Sequence, residues 1–388
     1  MASALGHLKV LDLSRILAGP WASQILADFG AQVIKVERPN VGDDTRRWGP
    51  PYMPNDKGQD SSESAYFMAA NRGKQSVCID ITTPKGQQQV HKLAQQCDIV
   101  IENFKTGGAA QYSLDYATLS ALNPQLIYCS ITGFGQTGPY KNRPGYDFLV
   151  QAMGGLMSVT GEPEREPQKI GVALTDVMTG LYASVGILAS LAEREKSGLG
   201  QYIDLALLDV TAATLANQAT NYLVGGLVPQ KLGNSHPNIV PYQTFATSDG
   251  HCIVAVGNDD QFKRYCNVIG LAALADHPDY STNPQRVKNR NQLVAILQGQ
   301  MLSKARDEWL VLFEQALVPA GPINNIDEVF NDPQIIARDM RVNIPHPLNK
   351  DLTLPGNPIK LSRTPVAYKR PPPLLGEHDD EVFKQFGL

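Results

Sequence analysis

The first two hundred residues alternate between short apolar runs and amphipathic stretches, and this alternation constrains the fold more than any other feature of the chain. "HLKVLDLS" reads as a strand, "GPWASQILADFG" as a helix opened by Pro20 and closed by Gly30, and "AQVIKVERP" as a second strand, which together make a βαβ unit. The pattern continues with strand "KQSVCIDI", a helix after Pro84 in "TPKGQQQVHKLAQQC", and strands "DIVIENF" and "PQLIYCSITGFG". A helix containing "MTGLYASVGILASLAERE" and a strand "QYIDLALLD" close the series. Strands that are apolar along their whole length belong to a parallel sheet covered on both faces, so this part reads as a Rossmann-like α/β domain.

From about residue 210 the character changes. A helical stretch, "VTAATLANQATNYLVGG", leads into a passage punctuated by Pro and Gly with a strand or hairpin near 242–257, and 260–317 reads as several short amphipathic helices. This is the pattern of a smaller α+β domain. The tail from 340 is rich in proline ("PHPLNKDLTLPGNPIKLSRTPVAYKRPPPLLGEH") and reads as an irregular strap returning over another surface. The division is therefore 1–205 for the large domain, 206–325 for a linker helix and the small domain, and 326–388 for the strap.

A formal net charge of -4 with scattered Lys and Arg lacks the basic stripe of a nucleic-acid binder. No secretory signal opens the sequence and no apolar run reaches the roughly 18 residues of a membrane span. These features point to a soluble, cytoplasmic protein with no nucleic-acid or membrane partner. The five cysteines form no C-x-x-C pair and the seven histidines no H-x-x-x-H pair, so neither disulfide nor metal is indicated.

"GFGQTG", Gly133 to Gly138, is a literal G-x-G-x-x-G after a good strand. A dinucleotide fingerprint needs those glycines to open a helix whose N-terminus receives the pyrophosphate, and Pro139, Pro144 and Gly145 follow at once. The glycines read instead as a loop that approaches a ligand or another backbone closely.

Within "GVALTDVMTGLYASVGILASLAEREKSG" the one carboxylate before Glu193 is Asp176. It has two readings that do not exclude each other. As a helix N-cap, Thr175 or Asp176 would satisfy a free backbone N–H at the positive end of the dipole. As a nucleophile, a carboxylate held ionised beside the close-packed Gly180, Ala183, Ser184 and Gly186 would act in a nearly dry site.

"VLDLSRILAGPWASQILADFGAQVIKVERPNVGDDTRRWGPP", "NRGKQSVCIDI", "IENF", "YCSITGFGQTGPYKNRPGYDFLVQAMGGLMSVTG", "GVALTDVMTGLYASVGILASL" and "RPPPLLGEH", in this order, resemble the class III (CaiB/BaiF-type) CoA-transferase family, which contains formyl-CoA transferase and carnitine CoA-transferase. The resemblance runs from about residue 6 to 385 and implies an interlocked homodimer, a CoA thioester as substrate and no tightly bound cofactor. Asp176 matches the family's catalytic aspartate in "TDxxTG". The implied chemistry is covalent: the carboxylate attacks a donor thioester to form a mixed anhydride, and the CoA thiolate returns to make an aspartyl-CoA thioester. The acceptor acid then reverses the steps. Such exchange is near thermoneutral and needs neither ATP nor metal.

The same resemblance places Leu17 and Ala18 against CoA through their backbone, Arg38 at the adenine end, and Asn71, Arg72 and Lys74 by the phosphates. Asn103, Phe104, Arg143 and Tyr146 match further CoA-lining positions. A basic residue that formyl-CoA transferase carries after "ENF" is Gln111 here. "VGNDDQF" stands where a glycine-bearing loop guards the site, giving Gly257, Asn258 and Gln261, and lacks the four-glycine run of formyl-CoA transferase. The pattern, with "GNSHPNIVPYQTF" and "VPAGPINN", resembles instead the succinyl-CoA:glutarate (dicarboxylate) branch. An acceptor with a distal carboxylate wants a cationic partner, for which Arg46, Arg47 and His236 are the candidates. Two other functions stay in view. An α-methylacyl-CoA racemase needs an acid/base pair, but carries His where Tyr146 stands; a non-catalytic CoA-binding protein would have no use for the intact Asp176 motif.

Overall fold

Six of the apolar runs become neighbours in one parallel sheet. In the computed structural model, which describes residues 3–388, the strands lie in the order Lys74–Cys78, Gln32–Glu37, Lys9–Asp12, Ile99–Glu102, Ile127–Thr132 and Tyr202–Ala206. All pairings are parallel, with Val10 opposite Val33 on one side and Ile99 on the other. Successive side chains of a strand face opposite ways. Val10, Val33, Ile99 and Ile101 accordingly enter one core with the helix Ala18–Asp28 and the buried Ala183 and Ile187 of the helix Leu174–Ser197. Leu11, Ile34 and Val100 enter another, with Val90 and Leu93 of the helix Pro84–Ala94. Both faces of the inner strands are covered, which is why those strands read as apolar runs, while the edge strand Tyr202–Ala206 leaves Tyr202 and Asp204 exposed.

The chain forms two compact units. The first contains the sheet and takes in residues up to Leu156, Lys169–Gly226 and Pro333–Leu388; the second is Met157–Gln168 with Leu227–Asp332. These limits differ from those read in the sequence. Strand "QYIDLALLD" stops at Ala206, and its last residues begin a helix, Leu207–Thr214, whose buried Leu207, Val210 and Thr211 keep it with the large unit. The second unit has an antiparallel sheet of Ala320–Pro322, His251–Ala255 and Tyr242–Ala246, with helices whose Phe262, Tyr265, Leu297, Trp309 and Phe313 build its own core.

The tail is more than a strap. After a short hairpin of Arg341–Asn343 with Thr353–Pro355, the chain ends in a helix, Asp379–Phe386, whose Val382 and Phe386 are buried in the core of the large unit. Asp379 accepts the backbone N–H of Cys78 at 2.7 Å, so this helix covers the edge strand. The helix Leu174–Ser197 also departs from expectation, because its length and composition would suffice to cross a membrane. Here it packs against the helix Ala18–Asp28, with Thr175, Thr179, Ser184 and Ser190 among its buried residues.

Candidate active site

In a doubly wound sheet a crevice opens beyond the carboxyl ends of the strands where their order reverses. That point lies between Lys9–Asp12 and Ile99–Glu102. Two adjoining pockets occupy it, of about 400 and about 240 Å³. Arg15, Asn103, Phe104 and Lys105 line both and form the waist between them. The larger continues past Arg38, Asp80 and Gln111; the smaller passes Ile16, Leu17, Ala18, Arg143 and Tyr146 and ends at Asp147 and Asp176.

The loop after the first strand is held in a shape that its residues do not favour. Ile16 has a φ of 72°, a left-handed conformation unfavourable for a β-branched side chain. Asn103 fixes the residue before it, accepting the Arg15 N–H at 2.9 Å and donating to the Arg15 carbonyl at 2.7 Å. Asp43 accepts the Ile16 N–H at 3.3 Å and pairs with the buried Lys35 at 2.9 Å. Lys35 donates in turn to the Ser14 carbonyl at 2.9 Å. The cleft wall thus rests on a buried ion pair, where removing one partner is costly.

Asp176 lies in the first turn of the helix Leu174–Ser197, which begins without a side-chain cap from Ala173. The cap comes from elsewhere. Asp147 Oδ1 accepts the N–H of Thr175 at 2.9 Å and that of Asp176 at 3.3 Å, while its Oδ2 accepts from Gln151 at 2.7 Å. This corrects the N-cap reading and leaves the Asp176 carboxylate free for the cleft. It also corrects the expectation of an acid held firmly ionised: burial, and then the Asp147 carboxylate, push Asp176 up to about 7. Gly180 brings this helix onto the start of the other one, because a Cβ there would meet the Ala18 carbonyl oxygen at 2.7 Å. Tyr66, which no motif had marked, senses the same charges: burial, then Asp176 and Asp147, raise its phenol and keep it a donor.

The sequence-predicted residues fall into three groups. Leu17, Ala18, Asn103, Phe104, Arg143, Tyr146 and Asp176 line the smaller pocket together, and Arg38 lines the larger. Asn71, Arg72 and Lys74 line neither pocket. Arg72 is buried in a two-pronged pair with Asp28 at 2.8 and 2.7 Å, and Lys74 is fully buried against Asp12 at 3.1 Å and Asn71 at 2.8 Å. Arg46 is likewise taken by Glu37 and Glu63, at 2.8 and 2.9 Å, whereas Arg47 is exposed and lines neither pocket. The remaining candidates belong to the second unit. Asn258 caps the helix Asp259–Val268 by accepting the Gln261 N–H at 2.8 Å, and Gln261 returns to accept the Gly257 N–H at 2.6 Å. His236 packs against Tyr242 with the two rings tilted by 57° and accepts the Asn238 N–H on Nδ1 at 3.0 Å; burial, then Arg290, hold it below the usual histidine range.

The glycines of "GFGQTG" serve a close approach of two backbones. A Cβ on Gly133 would lie 2.5 Å from the Gly145 Cα, and the next helix, Asp147–Met153, starts only after that contact. The loop carrying Arg143 and Tyr146 is thereby folded back beside Asp176 in the smaller pocket.

A doubly wound α/β sheet with a carboxylate of raised pKa at the end of its switch-point crevice has the features of an enzyme's functional site. Residues 5–379 match the model of CoA-transferase family III, and the chain belongs to that family. It is 51% identical over 383 residues to the succinate–glutarate CoA-transferase of Agrobacterium fabrum, covering 98% of this chain and 95% of that one. It is 43% identical over 381 residues to the human succinyl-CoA:glutarate CoA-transferase, covering 98% and 85%. A crystal structure of a CaiB/BaiF family protein from Brucella suis superposes with a TM-score of 0.87 at 48% identity, covering all of both chains.

Proposed function

We propose that this class III CoA-transferase moves CoA from succinyl-CoA to a glutarate-like dicarboxylate with Asp176 as the nucleophile. The observation that carries the mechanism is the position of Asp176, half-buried at the end of a cleft and raised to about 7. In its ionised form such a carboxylate is more basic, and so more nucleophilic, than an exposed one. It attacks the thioester carbonyl, the C–S bond breaks, and the CoA thiolate leaves an aspartyl–acyl anhydride. The thiolate then attacks the aspartyl carbonyl, releasing succinate and forming an aspartyl-CoA thioester. The acceptor carboxylate repeats these steps in reverse.

Leu17, at the cap position of the helix Ala18–Asp28, supplies no side-chain acceptor, so the first N–H groups of that helix are open to a developing oxyanion. The pantetheine arm would run past Phe104 and Tyr146, with the nucleotide end in the larger pocket near Arg38. The donor and acceptor are assigned on the dicarboxylate activities named for the relatives above. A homodimer is part of this reading, supported by the large apolar side chains Leu181, Tyr182, Val185 and Leu188 that the helix Leu174–Ser197 leaves exposed. Intact mass spectrometry after brief exposure to succinyl-CoA without acceptor tests the mechanism. A hydroxylamine-labile CoA adduct, lost in Asp176→Ala, is expected; no adduct, or one that survives in the variant, would sink it.

A further inference from the structure

At the waist between the two pockets one carboxylate sits between two guanidinium groups. Asp44 Oδ2 lies 2.7 Å from Arg15 Nη1, and Asp44 Oδ1 lies 3.5 Å from Arg38 Nη2. The three side chains are 36–56% exposed. They come from separate loops: Arg15 follows the first strand, Arg38 the second, and Asp44 opens the short turn Asp44–Arg47. Arg15 lines both pockets, Arg38 the larger and Asp44 the smaller.

The carboxylate of Asp44 has no structural duty to explain its place. The turn that it opens is capped by its neighbour Asp43, which accepts the Thr45 N–H at 3.0 Å. Nor is Asp44 needed to fix Arg15, whose backbone is already clamped on both sides by Asn103. The nearby acids Asp43 and Glu37 differ in kind, being buried in pairs with Lys35 and Arg46. An exposed ion pair is weak and easily exchanged. A phosphate carries more charge than a carboxylate and presents the paired oxygens that a guanidinium fork prefers.

We propose that Arg15 and Arg38 grip the phosphates of the CoA thioester at this waist, and that Asp44 is their resident counter-ion, displaced when the ligand arrives. Arg15 is then a CoA-binding residue and Asp44 a determinant of affinity that acts against binding. This inference rests on the CoA reading above. It predicts a change opposite in sign to that of a carboxylate that orients Arg15 for the ligand.

The test is calorimetric titration of the full-length protein with CoA, and with phosphate-free pantetheine, at low and at physiological salt. Asp44→Asn is nearly isosteric, at a half-exposed position. It should bind CoA about three- to tenfold more tightly than wild type at low salt, the gain shrinking as salt screens it. Arg15→Gln should bind CoA about tenfold more weakly, and pantetheine should distinguish the variants by less than twofold. If Asp44→Asn leaves CoA affinity unchanged or weakens it, or if pantetheine shows the same gain, the counter-ion role is overturned while the CoA reading stands. If wild type does not bind CoA, the functional reading fails and takes this inference with it.

Discussion

Replacing Asp147 with Asn separates two things that this carboxylate does. It caps the helix Leu174–Ser197 by accepting the Thr175 and Asp176 N–H groups at 2.9 and 3.3 Å, and its charge helps to raise Asp176 to about 7. Although the new NH₂ loses the bond from Gln151, whose own oxygen is taken by the Ile170 N–H at 3.0 Å, an amide oxygen still accepts those N–H groups, so the cap survives. The charge does not. With only burial left to raise Asp176, its pKa should fall by about one unit, the order of shift that a neighbouring like charge produces. At pH 6 the ionised fraction then rises from about one-tenth to about one-half, and adduct formation from succinyl-CoA should accelerate about fivefold. At pH 8 both forms are ionised, and the less basic carboxylate of the variant should react slightly more slowly. Rapid-quench mass spectrometry of the adduct between pH 5 and 9 reads both limbs. An acid limb that stays near 7 in Asp147→Asn, or moves up, would refute the electrostatic coupling. Asp147→Ala, which also loses the cap, should in addition cost about 1 kcal/mol of stability.

Asp176 itself should make stability depend on pH. Its folded pKa is raised above the ordinary value of 3.8, so the folded protein keeps a proton that the unfolded chain has lost. Stability is therefore greatest below about pH 4 as far as this group is concerned, and falls as pH rises to about 7. Asp176→Asn should be more stable than wild type by about 2 kcal/mol at pH 8 and equal to it at pH 4, allowing for partial solvent screening, as judged by denaturant unfolding. Equal stability at both pH values would remove the case for a strained acid. Arg72→Met should lose about 3–5 kcal/mol, because it leaves Asp28 buried beside Asn357 without its cation. A thermal melt shows this, whereas a variant of wild-type stability with weakened CoA affinity would return Arg72 to the ligand.

The sheet was legible in the sequence because burial on both faces leaves consecutive apolar residues in its inner strands. Val10 and Leu11, or Ile99 and Val100, are apolar for the same reason although they point to opposite cores. The final helix had a signal too: Val382, Phe383 and Phe386 repeat at helical spacing behind three acidic first-turn residues, but the proline-rich approach obscured it. The cap on the Asp176 helix left none, since the accepting carboxylate, Asp147, is 29 residues earlier in the chain. Charged residues were the hardest to place. Arg72, Lys74 and Arg46 stand in loop-like or strand-edge contexts that suggest solvent or ligand, and their partners Asp28, Asp12 and Glu37 are 44, 62 and 9 residues away. Only a folded chain reveals such a pairing. Ile16 is harder still, because nothing in its residue type announces a positive φ.

Why one acid is held for structure and another is proposed for chemistry follows from what surrounds each. Burial alone would push the Asp12 carboxyl up, but Lys74 and Lys35, with hydroxyls from Ser14 and Ser23, outweigh it and hold Asp12 at about 2. Asp12 is therefore charged throughout the physiological range with its oxygens occupied, and a thioester would find no nucleophile there. Asp176 is less deeply buried than Asp12 but has another acid as its neighbour, and the two together leave it at about 7. A raised pKa is still not sufficient. Burial also lifts Glu102 to about 7, against hydrogen bonds from Ser130 and the Phe104 N–H, yet Glu102 lines neither pocket. The combination that singles out Asp176 is a buried acid without a cation, beside a second acid that is tied to the backbone, at the end of a cleft. Each of the other buried acids lacks one of these conditions, and it is their conjunction that makes a carboxylate both reactive and reachable.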